Sequence, residues 1–315
     1  MKKHSGKGTI HYDNGDVYEG EFSNDKEHGI GKMTYKDGRV SEGIWVNGKI
    51  EYEGELAGRL PQGTGKWIYS NGTYEGEWKN GLRNGKGTLK LSSGEMYEGE
   101  YKDDQKNGKG TVKWPDGSSY AGEWKDGKKH GKGTHKRPDG SILYDGEWKD
   151  GLPDGNGTLN YKNGDVYSGE WRAGKKHGKG VMTYANQDSY VGEWEEDCKD
   201  GKGTMKYHNG DVYEGGFSND KMHGKGTFEY ADGSGEVLKS IGEWKEGKKF
   251  GLFEDVVRVS KQVYYDNDEL KANSNVKREV PSDEDTDADD TSLPLLAIVA
   301  MFAFLSLGDD VPYLF

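Results

Sequence analysis

Apolar and polar residues alternate at every second position along most of the chain. Residues 108–127 (GKGTVKWPDGSSYAGEWKDG) show the pattern twice: glycine, valine and tryptophan two residues apart, then tyrosine, glycine and tryptophan with the same spacing. Two is the period of a β-strand, so each half predicts a strand with its glycines and aromatics on one face. The PDGS sequence at 115–118 favours a tight turn between them. The stretch therefore predicts a β-hairpin with one apolar face.

This hairpin pattern recurs along the chain, most often at intervals of 23 residues. A single hairpin is barely stable in water, but a fixed period of roughly 20 to 50 residues indicates an array whose units bury each other's apolar faces. The predicted fold is therefore all-β: an elongated solenoid of stacked antiparallel β-hairpins, roughly 100 Å long if about twenty strands lie side by side. The predicted aromatic core comprises Tyr74, Trp78, Tyr97, Tyr101, Trp114, Tyr120, Trp124, Tyr144, Trp148, Tyr167, Trp171, Tyr190, Trp194, Tyr213 and Phe217.

The regular alternation breaks after residues 41–45 (SEGIW), because residues 52–56 (YEGEL) follow without the expected first strand. The Asn-Gly pair at 47–48 is the strongest signal for a two-residue type I′ hairpin turn, and it would pair Trp45 with Ile50. We expect two consequences. Long connections and tight turns exchange edges of the solenoid at this point, and the apolar residues before and after the turn stay on one face.

The pattern also predicts where the solenoid begins and ends. Residues 1–253 form about ten units, irregular at 41–62, and residues 254–270 close the last aromatic face with one or two strands.

The C-terminal part has a different composition. Residues 271–292 are acidic and poor in apolar groups, which predicts a disordered linker. Residues 293–307 (LPLLAIVAMFAFLSL, from Leu293 to Leu307) are apolar throughout and predict a helix of roughly 22 Å, followed by a short tail at 308–315. A bilayer's hydrocarbon core is roughly 30 Å thick. Insertion as a membrane anchor and docking against protein are therefore both open for this segment.

Composition shows what kind of core this is. Hydrophobic residues make up only 31% of the chain, while 51 of its 315 residues are glycine. Because the glycines recur at inward positions, they make room for the 20 Tyr and 9 Trp of neighbouring strands. The core is therefore expected to be a thin column of stacked aromatic rings.

Charge and cysteine content narrow the range of partners and compartments. The net charge is −12, and the part after residue 271 contributes more than half of it through nine acidic residues. Neither part has the positive balance of a nucleic-acid-binding protein, so no nucleic-acid partner is expected. Cys198 is the sole cysteine, which excludes an internal disulfide and fits a reducing compartment.

Candidate binding chemistry lies in surface charge. The predicted tight turns carry acidic residues, and the predicted longer connections between hairpins carry basic residues. We therefore expect one acidic and one basic edge of the solenoid. A basic edge suits anionic lipid headgroups or an acidic protein. The candidate residues for this edge are Lys125, Lys128, Lys129, His130, Lys132, Arg172, Lys175, Lys176, His177, Lys179, Lys248 and Lys249.

Other polar positions point to structure rather than catalysis. The Glu of each GEW sequence falls on the outward face, where we expect a solvated charge ladder. His135 and Arg137 occupy inward positions that are apolar in other units. They mark either a locally edge-like strand beside Pro138, which we prefer, or a pocket. No catalytic residue, metal site or cofactor is predicted, and the protein is expected to be non-enzymatic.

Sequences such as NGTYEGEWKNGLRNGKGT and GKGTLKLSSGEMYEGEYKD resemble MORN repeats, whose signature is Y-x-G-x-W, a short spacer and G-x-G. The resemblance implies a cytoplasmic scaffold for protein–protein interaction at a membrane–cytoskeleton, ciliary or flagellar structure. The apolar segment would tether such a scaffold to an endomembrane. As alternatives, the family implies a module that binds acidic phospholipids through the basic edge, or an accessory subunit of a lipid kinase or lysine methyltransferase.

Overall fold

The computed structural model describes residues 4–231 and 237–257. Within them, 22 strands form one continuous open sheet in which every strand pairs antiparallel with its neighbours in the sequence. The predicted all-β hairpin array is confirmed, with the hairpins joined edge to edge by backbone hydrogen bonds. The strands are β1 (Gly6–His11), β2 (Val17–Ser23), β3 (Lys26–Thr34), β4 (Val40–Val46), β5 (Lys49–Ala57), β6 (Leu60–Tyr69), β7 (Gly72–Lys79), β8 (Leu82–Leu91), β9 (Met96–Lys102), β10 (Gln105–Lys113), β11 (Ser119–Lys125), β12 (Lys128–Lys136), β13 (Ile142–Lys149), β14 (Leu152–Asn160), β15 (Val166–Arg172), β16 (Lys175–Thr183), β17 (Ser189–Glu195), β18 (Cys198–Lys206), β19 (Val212–Ser218), β20 (Lys221–Glu229), β21 (Val237–Lys245) and β22 (Lys248–Val257).

The two kinds of connection have the opposite lengths to those predicted. The PDGS sequence lies in a five-residue loop, 114–118, whereas the basic sequence KDGKKHGK contains a two-residue turn and the first half of β12. Asp126 and Gly127 form this turn with φ of 49° and 79°. Positive φ at both positions is typical of a type I′ turn, whose twist matches that of the flanking strands. The lysines after the turn therefore belong to a strand and alternate between its faces.

The edge exchange predicted at Asn47 and Gly48 is confirmed. Both residues have positive φ, and β4 and β5 pair antiparallel with Trp45 opposite Ile50. Up to β4, each strand with the Y-x-G pattern ends at the same edge of the sheet. β5 carries that pattern in the opposite direction, so from β5 onward the two-residue turns that follow such strands lie at the other edge.

The expectation that the apolar residues stay on one face here is wrong. A bulge shifts the register, so that Ile44 pairs with Tyr52 while Trp45 pairs with Ile50. Because Ile44 and Trp45 are adjacent in a strand, they point to opposite faces, and Tyr52 lies on the face away from Trp45. Two separate core clusters result, one around Tyr18, Phe22, Met33 and Trp45 and one from Tyr52 onward.

The exchange of faces follows from the exchange of edges. A unit built of L-residues has a fixed hand, so it cannot be reflected. From β5 onward the strands run the opposite way, yet new strands are still added at the same side of the growing sheet. This is possible only if the unit is rotated by 180° about the axis that lies in the sheet and runs perpendicular to the strands. That rotation also exchanges the two faces of the sheet.

The C-terminal predictions lie mostly outside the described residues. Val256 and Val257, expected in a closing strand, end β22. Residues 258–270, the acidic linker, the apolar segment and the tail lie outside the described residues. In the ranges 4–231 and 237–257, no helix is long and apolar enough to cross a bilayer.

Candidate partner-binding face

One face of β5–β22 carries an unbroken column of aromatic rings. The tyrosine that begins each Y-x-G sequence from Tyr52 to Tyr213 is at most 1% exposed, and its ring contacts the next aromatic residues edge to face. Tyr120, for example, lies 5.2 Å from Trp124 and 5.4 Å from Trp148 between ring centroids. The structure places the predicted core residues in this column. Trp114 is partly buried and lies at the loop edge.

Most polar atoms of the column form hydrogen bonds within the protein. Each of these tyrosines donates a hydrogen bond to the carbonyl three residues later, as Tyr120 Oη does to Glu123 O at 3.1 Å. Tryptophan Nε1 donates to a glycine carbonyl of the preceding strand, as Trp148 does to Gly133 O at 2.9 Å. Burial raises the pKa of Tyr52 to about 12 and that of Tyr120 above its usual value. The tyrosines are therefore neutral structural groups at neutral pH.

The outward Glu of each unit has a structural role that the sequence did not reveal. Glu170 Oε1 accepts a hydrogen bond from the backbone N–H of Lys179 at 2.9 Å, beside Gly178 with φ of 57°. This N–H is in the β-bulge that follows each type I′ turn. The prediction of a solvated charge ladder did not include this hydrogen bond to the backbone. The same bond is formed by Glu77, Glu100, Glu123, Glu147 and Glu193.

The predicted basic edge is divided between the two faces. Arg172 and Lys175 are on the outward side and pair with Glu195 at 3.0 Å and Glu196 at 2.6 Å, respectively. His177 Nδ1 lies 3.0 Å from Glu195 Oε2. Also exposed are Lys125, Lys128, Lys132, Lys179 and Lys248, while His130 is half-buried. By contrast, Lys129, Lys176 and Lys249 lie over rings of the aromatic face.

These three lysines belong to a longer row of cations on the aromatic face. Each member is the second residue after a two-residue turn and lies opposite the Trp or Tyr of the preceding strand. Lys129 Nζ is 4.5 Å from the ring centroid of Trp148, and Lys176 Nζ is 4.2 Å from that of Trp194. We call this set the cation row: Arg83, Lys106, Lys129, Lys176, Lys199 and Lys249.

Sequence reasoning missed Arg83, Lys106 and Lys199, although their position after the turn was a usable signal. The row does not extend into the first four strands. There Glu27 occupies the equivalent position, contacts the hydroxyl of Tyr12, and faces the opposite side of the sheet. The cation row is therefore confined to the face formed by β5–β22.

Carboxylates compensate some members of the cation row but not Lys129. Arg83 pairs with Asp104 at 2.9 Å, and Lys106 Nζ lies 3.4 Å from Glu95. Asp104 is the second residue of the two-residue turn that follows Arg83 at the same edge. In the turn that follows Lys129 at this edge, the second residue is Gly151, which has no carboxylate. In the described part of the chain, no carboxylate pairs with Lys129 Nζ, and burial lowers the pKa of this lysine to about 8.

His135 and Arg137 lie next to Lys129 on the same strand. The preferred interpretation of an edge-like strand is wrong for His135, because it pairs with Tyr120 on one side and Tyr144 on the other. Its ring is 5.4 Å from that of Trp114 and borders a depression of about 510 Å³. Arg137 is buried and donates hydrogen bonds to Ser141 Oγ and to the carbonyls of Ile142 and Asn160, so it stabilises the loop edge.

His135 should make the fold sensitive to acid. Burial, then the nearby Lys129, lowers its pKa to about 4, while an unfolded histidine titrates near about 6.5. Between these values the unfolded chain binds more protons, so the free energy of unfolding should fall as the pH decreases from 6.5 towards 4. Replacing His135 with leucine, the residue at position 159 of the next unit, should reduce that fall when urea unfolding is compared at pH 7 and pH 5.

The matched control is His11→Asn on the exposed side of β1, which should keep the wild-type pH dependence. An unchanged pH dependence in His135→Leu would contradict the assignment of the acid sensitivity to this buried ring.

Metal binding and thiol reactivity are two further properties that the described residues specify. Among residues 4–231 and 237–257, no group of three or more His, Cys, Asp or Glu side chains is placed to hold a metal ion. Burial raises the pKa of the Cys198 thiol, which disfavours the reactive thiolate at neutral pH. What the geometry provides is an extended surface of rings and cations.

Comparisons with known proteins agree with this architecture. The Alsin of Rattus norvegicus is 34% identical over 80 residues, which are 25% of this chain and 4% of Alsin. Human Alsin is 32% identical over the same length. The chain thus covers only a small part of these relatives.

Two solved structures of the same type of domain resemble the chain weakly. The TCP10 domain of Danio rerio CPAP, solved with a STIL peptide, has 12% identity and a TM-score of 0.36, covering 80% of this chain and 99% of that domain. The SAS-4 TCP domain of Drosophila melanogaster, solved with a proline-rich motif of Ana2, has 12% identity and a TM-score of 0.20, covering 65% and 86%. At these scores the likenesses support no functional argument.

The family match covers most of the molecule. Residues 39–51, which contain the turn where the core changes faces, separate the second and third matched repeats. The sequence profile of the MORN repeat matches residues 2–17, 18–38, 52–73, 74–96, 97–119, 120–142, 144–166, 167–189, 190–212, 213–235 and 241–252. With eleven matched repeats spanning nearly its whole length, the chain belongs to the MORN-repeat family.

Proposed function

We propose that this protein is a non-enzymatic scaffold that binds acidic segments of partner proteins along the aromatic face of β5–β22. MORN repeats are commonly scaffolds for interaction with proteins or membranes. The observation that supports this assignment is the cation row, which places positive charges beside rings on one face, with Lys129, Lys176 and Lys199 partly desolvated. Cations in such surroundings interact more strongly with a carboxylate than cations in bulk water do.

The binding surface is already formed before a partner arrives. The second residue of a two-residue turn donates a backbone hydrogen bond to the strand that follows the preceding turn, such as Asp220 N to Lys199 O at 3.0 Å and Asp197 N to Lys176 O at 3.1 Å. The loops at the other edge are joined as well, since Asp188 Oδ1 accepts a bond from His208 N at 2.7 Å. A rigid surface loses little conformational entropy on binding.

The spacing of the row suits an extended chain. Consecutive units place their cations two strands apart, or roughly 10 Å, and an extended peptide rises about 3.3 Å per residue. Within the runs Arg83–Lys106–Lys129 and Lys176–Lys199, a segment that crosses the strands would therefore meet a cation about every third residue, whereas Pro153 and Met222 interrupt the row. Acidic side chains at that interval complement the row.

The outward lysines support lipid binding less well. Arg172, Lys175 and His177 are already beside Glu195 or Glu196, and these carboxylates would repel anionic headgroups. Recognition of acidic phospholipids is therefore the weaker alternative. The cellular setting, a membrane–cytoskeleton or ciliary structure, and a role as an accessory subunit of an enzyme are proposals from the family alone.

The experiment compares the two faces. A fluorescein-labelled Gly/Ser peptide with Glu at every third position serves as the probe, beside vesicles containing phosphatidylserine. Replacing both Lys176 and Lys199 with methionine, the residue at the equivalent position 222, should weaken peptide binding about tenfold or more. The outward control Lys175→Met with Lys179→Met should bind the peptide normally. Vesicle binding that depends on the outward pair, without peptide binding, would contradict the proposal.

A further inference from the structure

The aromatic face has a polar depression at the loop edge of β10–β13. It measures about 510 Å³ and is lined by Trp114, Pro115, Asp116, Ser118, Lys129 and His135. Lys129 Nζ lies 5.4 Å from the ring centroid of Trp114, and the His135 ring lies 5.4 Å from the same ring. A cation, an imidazole and an indole therefore converge on the same open space.

Comparison with neighbouring units shows that this depression departs from the repeat at an energetic cost. His135 stands where the units on either side have Val112 and Leu159. Its Nδ1 is buried without a hydrogen-bond partner among the residues that the structure describes. Lys129 also lacks the turn aspartate that accompanies Arg83. An unpaired imidazole at a position that otherwise holds an apolar side chain destabilises a fold, as does a half-buried lysine without a carboxylate partner. Such departures are typical of functional sites.

We propose that this depression binds the carboxylate side chain of an extended segment of a partner protein. Lys129 Nζ faces the carboxylate, the neutral His135 ring donates a second hydrogen bond through Nε2 while Nδ1 stays buried, and the Trp114 ring packs against the aliphatic part of the bound residue. This inference rests on the proposed function. It adds a single site of side-chain specificity to a surface whose other cations act mainly through charge.

The charges around the depression favour a carboxylate over a phosphate. Lys129, whose pKa burial lowers to about 8, is still mainly protonated at neutral pH, whereas His135, with a pKa of about 4, is neutral. Asp116 lies on the rim and is held ionised by hydrogen bonds from Ser118 at 2.6 and 2.8 Å, which lower its pKa. Asp116 repels any anion that approaches Lys129, but it repels a phosphate group, which carries about −1.5 to −2, more strongly than a singly charged carboxylate.

The test uses full-length protein and three fluorescein-labelled peptides that differ at one position. Each is a Gly/Ser nonapeptide with a central Glu-Leu, Gln-Leu or phosphoserine-Leu sequence, and affinity is measured by fluorescence polarisation. The Glu peptide should bind roughly 10- to 100-fold more tightly than the Gln peptide, as expected for a hydrogen bond to a charged group. Lys129→Met should reduce its affinity to that of the Gln peptide, and His135→Leu should reduce it several-fold.

The control variant is Lys128→Met, one residue away on the outward face, which should bind the Glu peptide normally. Methionine is tolerated at the row position, since Met222 occupies it in β20, two strands before the last strand of the described sheet, and thermal unfolding of each variant verifies folding. Tighter binding of the phosphoserine peptide, or unchanged affinity in Lys129→Met, would overturn the proposal. If Lys176→Met weakens binding while Lys129→Met does not, the depression is excluded and the proposed scaffold function stands. If none of these peptides binds while the peptide with Glu at every third position does, the depression is excluded and the scaffold function stands; if neither kind of peptide binds, both are excluded.

Discussion

Replacing Trp148 with alanine is expected to lower the free energy of local unfolding of β12–β14 by about 3–5 kcal/mol, the usual cost of removing a large buried aromatic side chain. Trp148 is 4% exposed and its ring packs edge to face against Tyr144 at 4.9 Å and Tyr120 at 5.4 Å. The substitution also removes the hydrogen bond to Gly133 O and the ring under Lys129. A gap therefore opens in the aromatic column.

Native-state hydrogen exchange is the suitable measurement, because it resolves the opening of individual segments in a long repeat array. The matched control is Trp148→Phe, since phenylalanine occupies the equivalent position at 217 and at 22. Phenylalanine keeps a ring in the column but is smaller and loses the hydrogen bond, so it should cost less than alanine, about 1–2 kcal/mol. Equal effects of alanine and phenylalanine would show that ring packing does not hold the sheet together.

Replacing Gly133 with alanine is expected to cost about 2–3 kcal/mol, in the upper range for overpacking of a well-packed core. A Cβ atom at this position would lie 2.2 Å from Tyr120 Oη and 2.5 Å from Cζ of the same ring. Tyr120 is fully buried, and its neighbours Trp124 and Trp148 leave its ring no space to move. The strand or the ring must therefore shift.

Gly8 provides a control within the same chain. It is also the second glycine of a G-x-G sequence, but in β1, which has no preceding tyrosine to lie over it. A Cβ atom there would lie 3.1 Å from Nε2 of His4, the far end of a side chain that can rotate away. Gly8→Ala should therefore change the free energy of unfolding of β1–β2 by less than about 1 kcal/mol. A loss as large as that of Gly133→Ala would indicate that backbone preference, rather than the tyrosine ring, requires glycine.

The hairpin array could be predicted from the sequence because its signals are local and repeated. The alternation in residues 108–127 specifies which side chains share a face, and the recurrence every 23 residues specifies which strands are neighbours. Glycine at inward positions indicated that rings lie over the backbone, as Tyr120 does over Gly133. These features depend on spacing alone.

The turn lengths were mispredicted because charge was given more weight than backbone conformation. Lys128 and Lys129 were assigned to a loop, although Asp126 and Gly127 before them are a suitable pair for a type I′ turn. Once these lysines belong to β12, alternation places one outward and the other over Trp148. The residues of the predicted basic edge therefore lie on two surfaces. One of these surfaces, the cation row, could have been predicted, because each of its members is the second residue after a two-residue turn.

The exchange of faces could not be obtained from alternation. Residues 43, 45, 50, 52, 54 and 56 keep a period of two if the turn is simple, and the bulge that breaks this period has no distinctive residue. The reason is global: reversing a handed unit within one sheet requires a rotation that also exchanges the faces. The depression beside Lys129 was predicted in part, since His135 and Arg137 were identified as departures from the repeat.

The measurement that tests this account most directly is a set of nuclear Overhauser contacts from isoleucine methyl groups in a selectively labelled sample. The account predicts contacts from the Ile50 methyl to the ring of Trp45 and from the Ile44 methyl to the ring of Tyr52, with the two rings on opposite faces of the sheet. Contacts from a single isoleucine methyl to both rings would place Trp45 and Tyr52 on one face. That result would contradict the exchange of faces and the confinement of the cation row to β5–β22.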